Sequence, residues 1–92
     1  MFTREVMQVL IPNPLRSYTG DARVVCADGK TLDELVADLD RRFPGIRFRI
    51  VDEQGRIRRH IKFFVNRVQA PDLHPGLGQG DEVMIVCALS GG

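Results

Sequence analysis

The fold of this chain is decided by one stretch of its sequence, TLDELVADLDRRFPG at positions 31–45. Its apolar residues recur at the period of an α-helix and form a single stripe. These residues are Leu32, Leu35, Val36, Leu39 and Phe43. Thr31 and Glu34 have the spacing of a capping box, in which the Thr31 hydroxyl accepts from the Glu34 amide and the Glu34 side chain reaches back. The stretch therefore predicts one amphipathic helix that begins after Thr31 and ends at Pro44-Gly45.

The charged residues of this helix are expected on its solvent side. They are Asp33, Glu34, Asp38, Asp40, Arg41 and Arg42. Acids come first and arginines last, which suits the direction of the helix dipole. A helix with one apolar face must bury that face against another layer, so the rest of the chain has to supply a sheet.

Four other segments have the pattern of β-strands and can form that sheet. Residues 5–11 alternate, with Met7, Val9 and Ile11 on one face, before a Pro-Asn-Pro segment ends the strand. The further strands are expected at residues 22–27, at residues 61–65 and from Glu82 onward. We expect the first two strands to pair antiparallel, and the first and last to lie side by side and parallel. The predicted fold is α+β, a β-grasp in which a mixed four- to five-stranded sheet packs on one main helix.

The remaining segments are less regular. Residues 47–51 and 56–59 flank a glycine-bearing turn and predict a short hairpin or an irregular extended segment, with Phe48 facing inward. Asn66-Arg67 is expected to start a turn, and the prolines and glycines at 71–80 predict a long loop with one helical turn near residues 72–74. The glycines at 76, 78 and 80 are interpreted as turn residues, because no lysine or helix follows them as in a phosphate loop.

Composition narrows the class of protein. The chain has 92 residues, is 43% hydrophobic and carries a formal net charge of +1, which predicts one small domain with one modest core. A domain of this size favours a binding or carrier role over a stand-alone enzyme. No apolar run approaches the ~20 residues that cross a bilayer, and no secretory signal is recognisable. We therefore expect a cytoplasmic protein with no membrane and no nucleic-acid partner.

Few side chains suggest chemistry of their own. Cys26 and Cys87 lie in apolar runs and are interpreted as small buried hydrophobes. His60 and His74 are isolated from other metal-ligating residues, so no metal site is expected. The basic residues between positions 47 and 62 are interpreted as a solvated strand face.

The C-terminal Gly91-Gly92 pair is the feature that points to a function. Residues 1–88 are expected to form the domain and residues 89–92 a flexible tail. Two glycines without Cβ atoms are slim enough to enter a narrow channel of a partner. Gly92 would then present its carboxylate for activation, and Gly91 would provide access.

An apolar strip beside the tail is expected to bind the partner. If Val83 and Ile85 face the core, their neighbours in the last strand face outward, next to the outer face of the first strand. The candidate partner-binding residues are Val86, Met84, Ala88, Leu89, Leu10 and Pro12.

These segments together resemble the ubiquitin-like sulfur carriers of the MoaD/ThiS type. The resemblance lies in six short pieces of the sequence. They are Pro12–Arg16, Thr31–Leu35, Arg42–Ile46, Phe64–Asn66, Gly80–Val83 and Gly91-Gly92. The segment 47–62 is most similar to that of the cysteine-synthesis carriers, although the molybdopterin and thiamine types stay open.

The resemblance implies a mechanism and a set of partners. A ubiquitin-activating-like adenylyltransferase would consume ATP to join Gly92 to AMP, and this chain itself would bind no cofactor. A sulfur donor of the cysteine desulfurase or rhodanese type would convert the adenylate to a thiocarboxylate. An acceptor biosynthetic enzyme would take the sulfur from the carrier, which would be a monomer when free.

Two other functions remain open at this point. The same tail would serve a protein modifier that is joined through Gly92 to lysines of target proteins. A plain interaction domain with a basic hairpin face is the other alternative, and its binding would survive loss of the tail.

Overall fold

The structure, a computed structural model, describes residues 6–88, and within that range it forms five strands, two α-helices and one 3-10 segment. The elements are β1 (Val6–Leu10), the 3-10 segment (Asn13–Thr19), β2 (Val24–Asp28), α1 (Leu32–Arg42), α2 (Ile46–Ile50), β3 (Ile61–Val65), β4 (Val68–Ala70) and β5 (Glu82–Cys87). The expected tail, residues 89–92, and the first residue of the expected first strand lie outside the described residues.

The sheet has the predicted β-grasp topology. Its strand order is β2-β1-β5-β3-β4. β1 pairs antiparallel with β2 and parallel with β5, so the first and last strands are neighbours as expected. β3 pairs antiparallel with β5 on the other side. Because β1 and β5 run in the same direction, both end at the same edge of the sheet.

The core lies between one face of the sheet and the helices. Met7, Val9 and Ile11 are buried on that face, as their alternation predicts. Opposite them lie four residues of the α1 stripe, Leu32, Leu35, Val36 and Leu39, each with no exposed surface. Each such side chain contributes roughly 1.5–3 kcal/mol by leaving water. The packing of one apolar helix face on one apolar sheet face therefore confirms the main structural prediction.

The N-terminus of α1 is capped nearly as predicted. The Glu34 amide donates to the Thr31 hydroxyl oxygen at 3.2 Å. The Glu34 carboxylate reaches back one residue further than expected and accepts from the backbone N–H of Lys30 at 3.0 Å. Two free N–H groups at the start of the helix are thereby satisfied.

The hairpin or extended segment expected over residues 47–59 was wrong in its first half, because residues 46–50 form the helix α2. The expected glycine-bearing turn is present at residues 52–55, and an antiparallel bridge joins Val51 to Ile57 across it. Ile46 and Ile50 are four positions apart and both fully buried, which a helical turn allows and strand alternation does not. Gly45 enters α2 with φ 99°, and the Asp40 carboxylate accepts from the amides of Gly45 and Arg47 at 3.1 Å each. Phe48, expected to face inward, is 61% exposed as a result.

The edge strand β4, between the expected turn at Asn66-Arg67 and the expected long loop, was not predicted. It follows a tight turn in which Asn66 and Arg67 adopt positive φ angles of 50° and 71°. The Asn66 side chain holds this turn by accepting from the Glu82 amide at 3.0 Å and donating to Asp81 at 3.0 Å. The helical turn expected near residues 72–74 is absent from the described chain, where bends bring Leu73 into the core.

Two expectations about individual side chains were also wrong. Asp38, assigned to the solvent side of α1, is only 6% exposed. Cys26, expected to be buried, is exposed on β2, and Cys87 is half-buried at the end of β5. Cys26 alternates with the buried Ala27, so it points to the face of the sheet opposite the helices.

Candidate functional site

The candidate site is the edge of the sheet where β5 ends. Val83 and Ile85 anchor β5 in the core, as predicted. After Cys87 the chain leaves the sheet, and the Ala88 amide donates to the carbonyl of His60 at 2.7 Å. Ala88 is exposed. The position from which residues 89–92 depart is therefore held by a buried strand and one further backbone hydrogen bond.

The predicted carrier residues follow this point directly in the chain. Gly91 and Gly92, together with the predicted partner-binding residue Leu89, lie outside the described residues. What the structure establishes is where their path begins, next to the end of β1 and the start of β3.

An apolar row crosses the face of the sheet that the helices leave free within residues 6–88. The register places Leu10 opposite Val24 on one side and opposite Met84 on the other, and Met84 opposite Phe64. We call these four residues the apolar row. Val24 is 47% exposed, and the other three are half-buried. The row therefore offers a continuous apolar surface across four strands.

The structure brings some of the predicted partner-binding residues together. Leu10 and Met84 are neighbours in the row. Val86 lies one step nearer the tail, opposite Lys62, and is half-buried. Pro12 is half-buried beyond the end of β1. The sequence analysis did not include Phe64 or Val24, although the alternation of β3 already places Phe64 on the outer face between Phe63 and Val65.

A cavity of about 330 Å³ opens beside Ala88, where the tail begins. Tyr18 and Arg49 close one side, with the Arg49 Nε donating to the Tyr18 hydroxyl oxygen at 2.8 Å. This hydrogen bond raises the pKa of Arg49, so the guanidinium stays charged. Cys87 lines the same cavity, and burial raises the pKa of its thiol above the ordinary 9.0. The thiolate that a nucleophile requires is therefore disfavoured at Cys87.

The rest of the described chain offers no alternative chemical centre. Within residues 6–88, no three His, Cys, Asp or Glu side chains come close enough to hold a metal ion. A larger cavity of about 730 Å³ lies at the other end of the molecule, where Asp33, Arg47, Arg56 and His74 line it with mixed charge. No helix in the described range is long and apolar enough to cross a membrane.

Comparison with known proteins gives a consistent result. The ThiS family model matches residues 9–92. The sulfur carrier protein CysO of Mycobacterium tuberculosis is 34% identical over 89 residues, which are 91% of this chain and 96% of CysO. The CysO of Mycobacterium bovis matches to the same extent.

Solved structures agree with these sequence matches. The crystal structure of Mycobacterium tuberculosis CysO superposes with a TM-score of 0.85 at 32% identity, covering 90% of this chain and 99% of that one. A chain of the Amycolatopsis orientalis BexX/CysO complex gives 0.86 at 34% identity, with 94% and 99% covered. SAMP1 from Haloferax volcanii gives 0.81 at 24% identity, with 95% and 99% covered, and shows the shared fold.

The strand order and the helix packed on the sheet define a ubiquitin-like β-grasp protein. The chain belongs to the ThiS family, and its function is that of a sulfur carrier. The resemblance to the MoaD/ThiS carriers is thus confirmed, and the family is one of carrier proteins rather than of catalytic enzymes.

Proposed function

We propose that this sulfur carrier bears its sulfur on the carboxyl carbon of Gly92. The observation that carries the proposal is the match to the ThiS family through residue 92, on a chain that β5 delivers to a sheet edge at the exposed Ala88. From Ala88, four residues can extend at most about 14 Å. That reach is enough to enter a narrow channel of a partner while the domain stays outside.

The chemistry follows from the poor reactivity of a carboxylate. The Gly92 carboxylate attacks the α-phosphorus of ATP, which forms an acyl-adenylate and releases pyrophosphate. The outer sulfur of the donor's persulfide then attacks the carbonyl carbon and AMP leaves, which gives an acyl disulfide between Gly92 and the donor. A second thiol attacks the donor's sulfur in that disulfide, the two thiols become joined as a disulfide, and a thiocarboxylate remains on Gly92. The ATP is bound by the activating partner, an adenylyltransferase related to ubiquitin-activating enzymes, and the carrier contributes the carboxylate and its presentation.

Three further features complete the proposal. The sulfur comes from a cysteine desulfurase or a rhodanese-type donor, and it passes to an acceptor enzyme of cysteine biosynthesis in the cytoplasm. The similarity of residues 47–62 to the cysteine-synthesis carriers, and the 34% identity to CysO, support this pathway over the molybdopterin and thiamine types. Amycolatopsis orientalis CysO forms a complex with BexX, and we propose that this chain likewise docks on its acceptor.

The apolar row is the proposed docking surface for these partners, together with Val86, Pro12, Ala88 and Leu89. The supporting observation is its position: Met84 and Val86 lie on the strand that leads into the tail. A partner that accepts the tail must contact this strand first, and burying apolar surface there contributes roughly 25 cal/mol per Å².

Mass spectrometry of the loaded protein tests the proposed function. The full chain is incubated with the adenylyltransferase encoded in the same genome, ATP and a sulfur source. We expect the mass to rise by about 16 Da, the replacement of one oxygen by sulfur. The matched control is the chain without Gly92, which should keep its fold and show no mass change.

Two outcomes would contradict the proposal. One is an unchanged mass of the wild-type chain with every adenylyltransferase of that genome. The other is the appearance of reductant-resistant adducts with lysines of other proteins in place of the thiocarboxylate, which would make the chain a protein modifier.

A further inference from the structure

Charge is divided between the two ends of the sheet. Five basic residues belong to the elements that meet where β5 ends, and we call them the cationic collar: Arg16, Arg49, Arg58, Arg59 and Lys62. Acids gather at the opposite end, where β2 ends and where α1 and β5 begin. They are Asp28, Asp33, Glu34, Asp72, Asp81 and Glu82. Lys30 and Arg67 lie at that end too, and Arg47 and Arg56 line a cavity with Asp33 and Asp72, so this acidic pole is negative by a small margin only.

Neutral groups hold three guanidinium groups of the collar in place. The Arg49 Nε donates to the Tyr18 hydroxyl at 2.8 Å, and the Arg58 Nε donates to the Phe48 carbonyl at 2.7 Å. The Arg16 Nε donates to the Ile11 carbonyl at 3.0 Å. None of the three forms an ion pair with any residue in the described range. Their remaining N–H groups are positioned and keep their full charge.

Three acids lie near the collar: Asp21, whose amide donates to the Arg16 carbonyl, and Asp40 and Asp52, which are already engaged. Asp40 accepts from the amides that open α2. Asp52 accepts from the amides of Gln54 and Arg56 and interacts electrostatically with Arg56 and Arg58. On α1, by contrast, Arg41 and Arg42 both bind Asp38. The collar is thus left with a positive charge that an outside partner can meet.

An acidic protein fits this surface better than a nucleic acid. Single-stranded nucleic acids bind to aromatic rings on which bases stack. The exposed aromatic ring near the collar is Phe48, and Arg58 already lies over it at 4.8 Å. The acidic pole of the molecule would also repel an extended phosphate backbone, whereas a compact acidic patch meets the collar alone.

We propose that the cationic collar docks on an acidic rim around the tail-receiving channel of the activating enzyme. This inference rests on the proposed function for the identity of the partner. Opposite charges on the two surfaces accelerate encounter and orient the tail, while the apolar row supplies contact area. The collar therefore selects the enzyme that accepts this carrier, mainly through the rate of association.

Charge reversal at the two poles tests the inference. Arg49→Glu and Arg59→Glu change the collar, and Arg67→Glu, in the turn between β3 and β4 at the acidic pole, is the matched control. The measurement is kcat/KM for pyrophosphate release by the adenylyltransferase of the same genome, at low and at high salt. We expect each collar variant to lose about tenfold in kcat/KM at low salt and much less at high salt. Arg67→Glu should stay within about twofold of the wild type.

Equal kcat/KM values for the collar variants and Arg67→Glu would overturn the inference. A second measurement needs no enzyme and separates this result from failure of the proposed function. The isotope-labelled full chain is titrated with poly-L-glutamate and with an oligothymidylate of equal charge, and backbone amide shifts are followed by NMR. Shifts at the collar with tighter binding of poly-L-glutamate support the inference. No collar shifts, or tighter binding of the oligothymidylate, overturn it.

Discussion

The carboxylate of Asp38 on α1 accepts a hydrogen bond from the backbone N–H of Asp28, the last residue of β2, across 3.0 Å. The same carboxylate binds Arg41, and it accepts from the Arg42 Nε at 2.7 Å. One buried acid thereby ties the main helix to an edge strand and keeps two arginines on the helix surface. A charge this deep is tolerated because hydrogen bonds and cations surround it.

Asp38 should make stability depend on acid pH. Burial acts to raise its pKa, but the Asp28 amide and the two arginines outweigh burial and hold the pKa below the ordinary 3.8. Because the folded pKa is depressed, the contribution is present in full above pH ~4 and is lost as the pH falls through the folded pKa. We expect Asp38→Asn to lower the free energy of unfolding by about 1–3 kcal/mol at neutral pH.

Urea unfolding of the two proteins from neutral pH to pH ~3 checks this prediction. The difference between wild type and Asp38→Asn should shrink toward the acid end. Asp33→Asn is the control, since it removes the same charge from an exposed position in the first turn of α1. A difference that stays constant with pH would show that the charge of Asp38 contributes nothing.

Position 29 should tolerate no residue larger than glycine, because it lies very close to the backbone of α1. A Cβ built at Gly29 would lie 2.5 Å from the Leu35 backbone nitrogen and 2.8 Å from the Glu34 carbonyl carbon. Both are backbone atoms of the helix, so α1 would have to move away from the sheet. We expect Gly29→Ala to lower the free energy of unfolding by about 1–3 kcal/mol.

Gly76→Ala is the matched control for this substitution. A Cβ at Gly76 meets its nearest atom, the Lys30 carbonyl oxygen, at an ordinary 3.7 Å. Thermal unfolding should show a much smaller change for Gly76→Ala than for Gly29→Ala. Equal losses would mean that the contact between Gly29 and α1 is not what restricts position 29.

The apolar row should be required for activation but not for folding. Met84→Asp places a charge in the middle of the row, and we expect it to reduce kcat/KM for adenylation by about 30-fold, the effect of losing about 2 kcal/mol of binding. Gln69→Asp is the control, because Gln69 is exposed on β4 and pairs with Phe64 at the end of the same row.

The two variants are compared by pyrophosphate release, with circular dichroism to establish that each is folded. A folded Met84→Asp protein that is adenylated as fast as Gln69→Asp would remove the apolar row from the docking surface. Loss of activity in both would place the contact at the β4 edge instead.

The two cysteines should differ in reactivity. Cys26 is exposed on β2, while Cys87 is half-buried beside Ala88 and has a pKa raised by burial. Reaction with iodoacetamide requires the thiolate and access to it. At pH ~8 we expect Cys26 to be alkylated at least ~10 times faster than Cys87. Mass spectrometry of tryptic peptides over time measures both rates, and Cys26→Ser should leave only the slow phase.

How much of this fold could be predicted depended on how local the signal was. The α1 stripe, its cap and the strands 61–65 and 82–87 were confirmed because side-chain periodicity and capping chemistry act within a few residues. α2 was missed because its five residues offer a single buried apolar pair, Ile46 and Ile50, and because the carboxylate that accepts from its first amides belongs to Asp40 in the preceding helix. β4 was missed because its three residues, Val68–Ala70, are too few for alternation to mark a strand.

The sequence by itself determined the β-grasp order and the outward position of Met84 and Val86, and it predicted Gly91-Gly92 as the place of chemistry. Only the tertiary structure decided which distant residues meet. It buried Asp38 by placing the Asp28 amide opposite it, and it collected arginines from the 3-10 segment, α2 and the loop before β3 at one edge. Periodicity records which way a side chain points, whereas the meeting of residues far apart in sequence depends on how strands pair and where each ends.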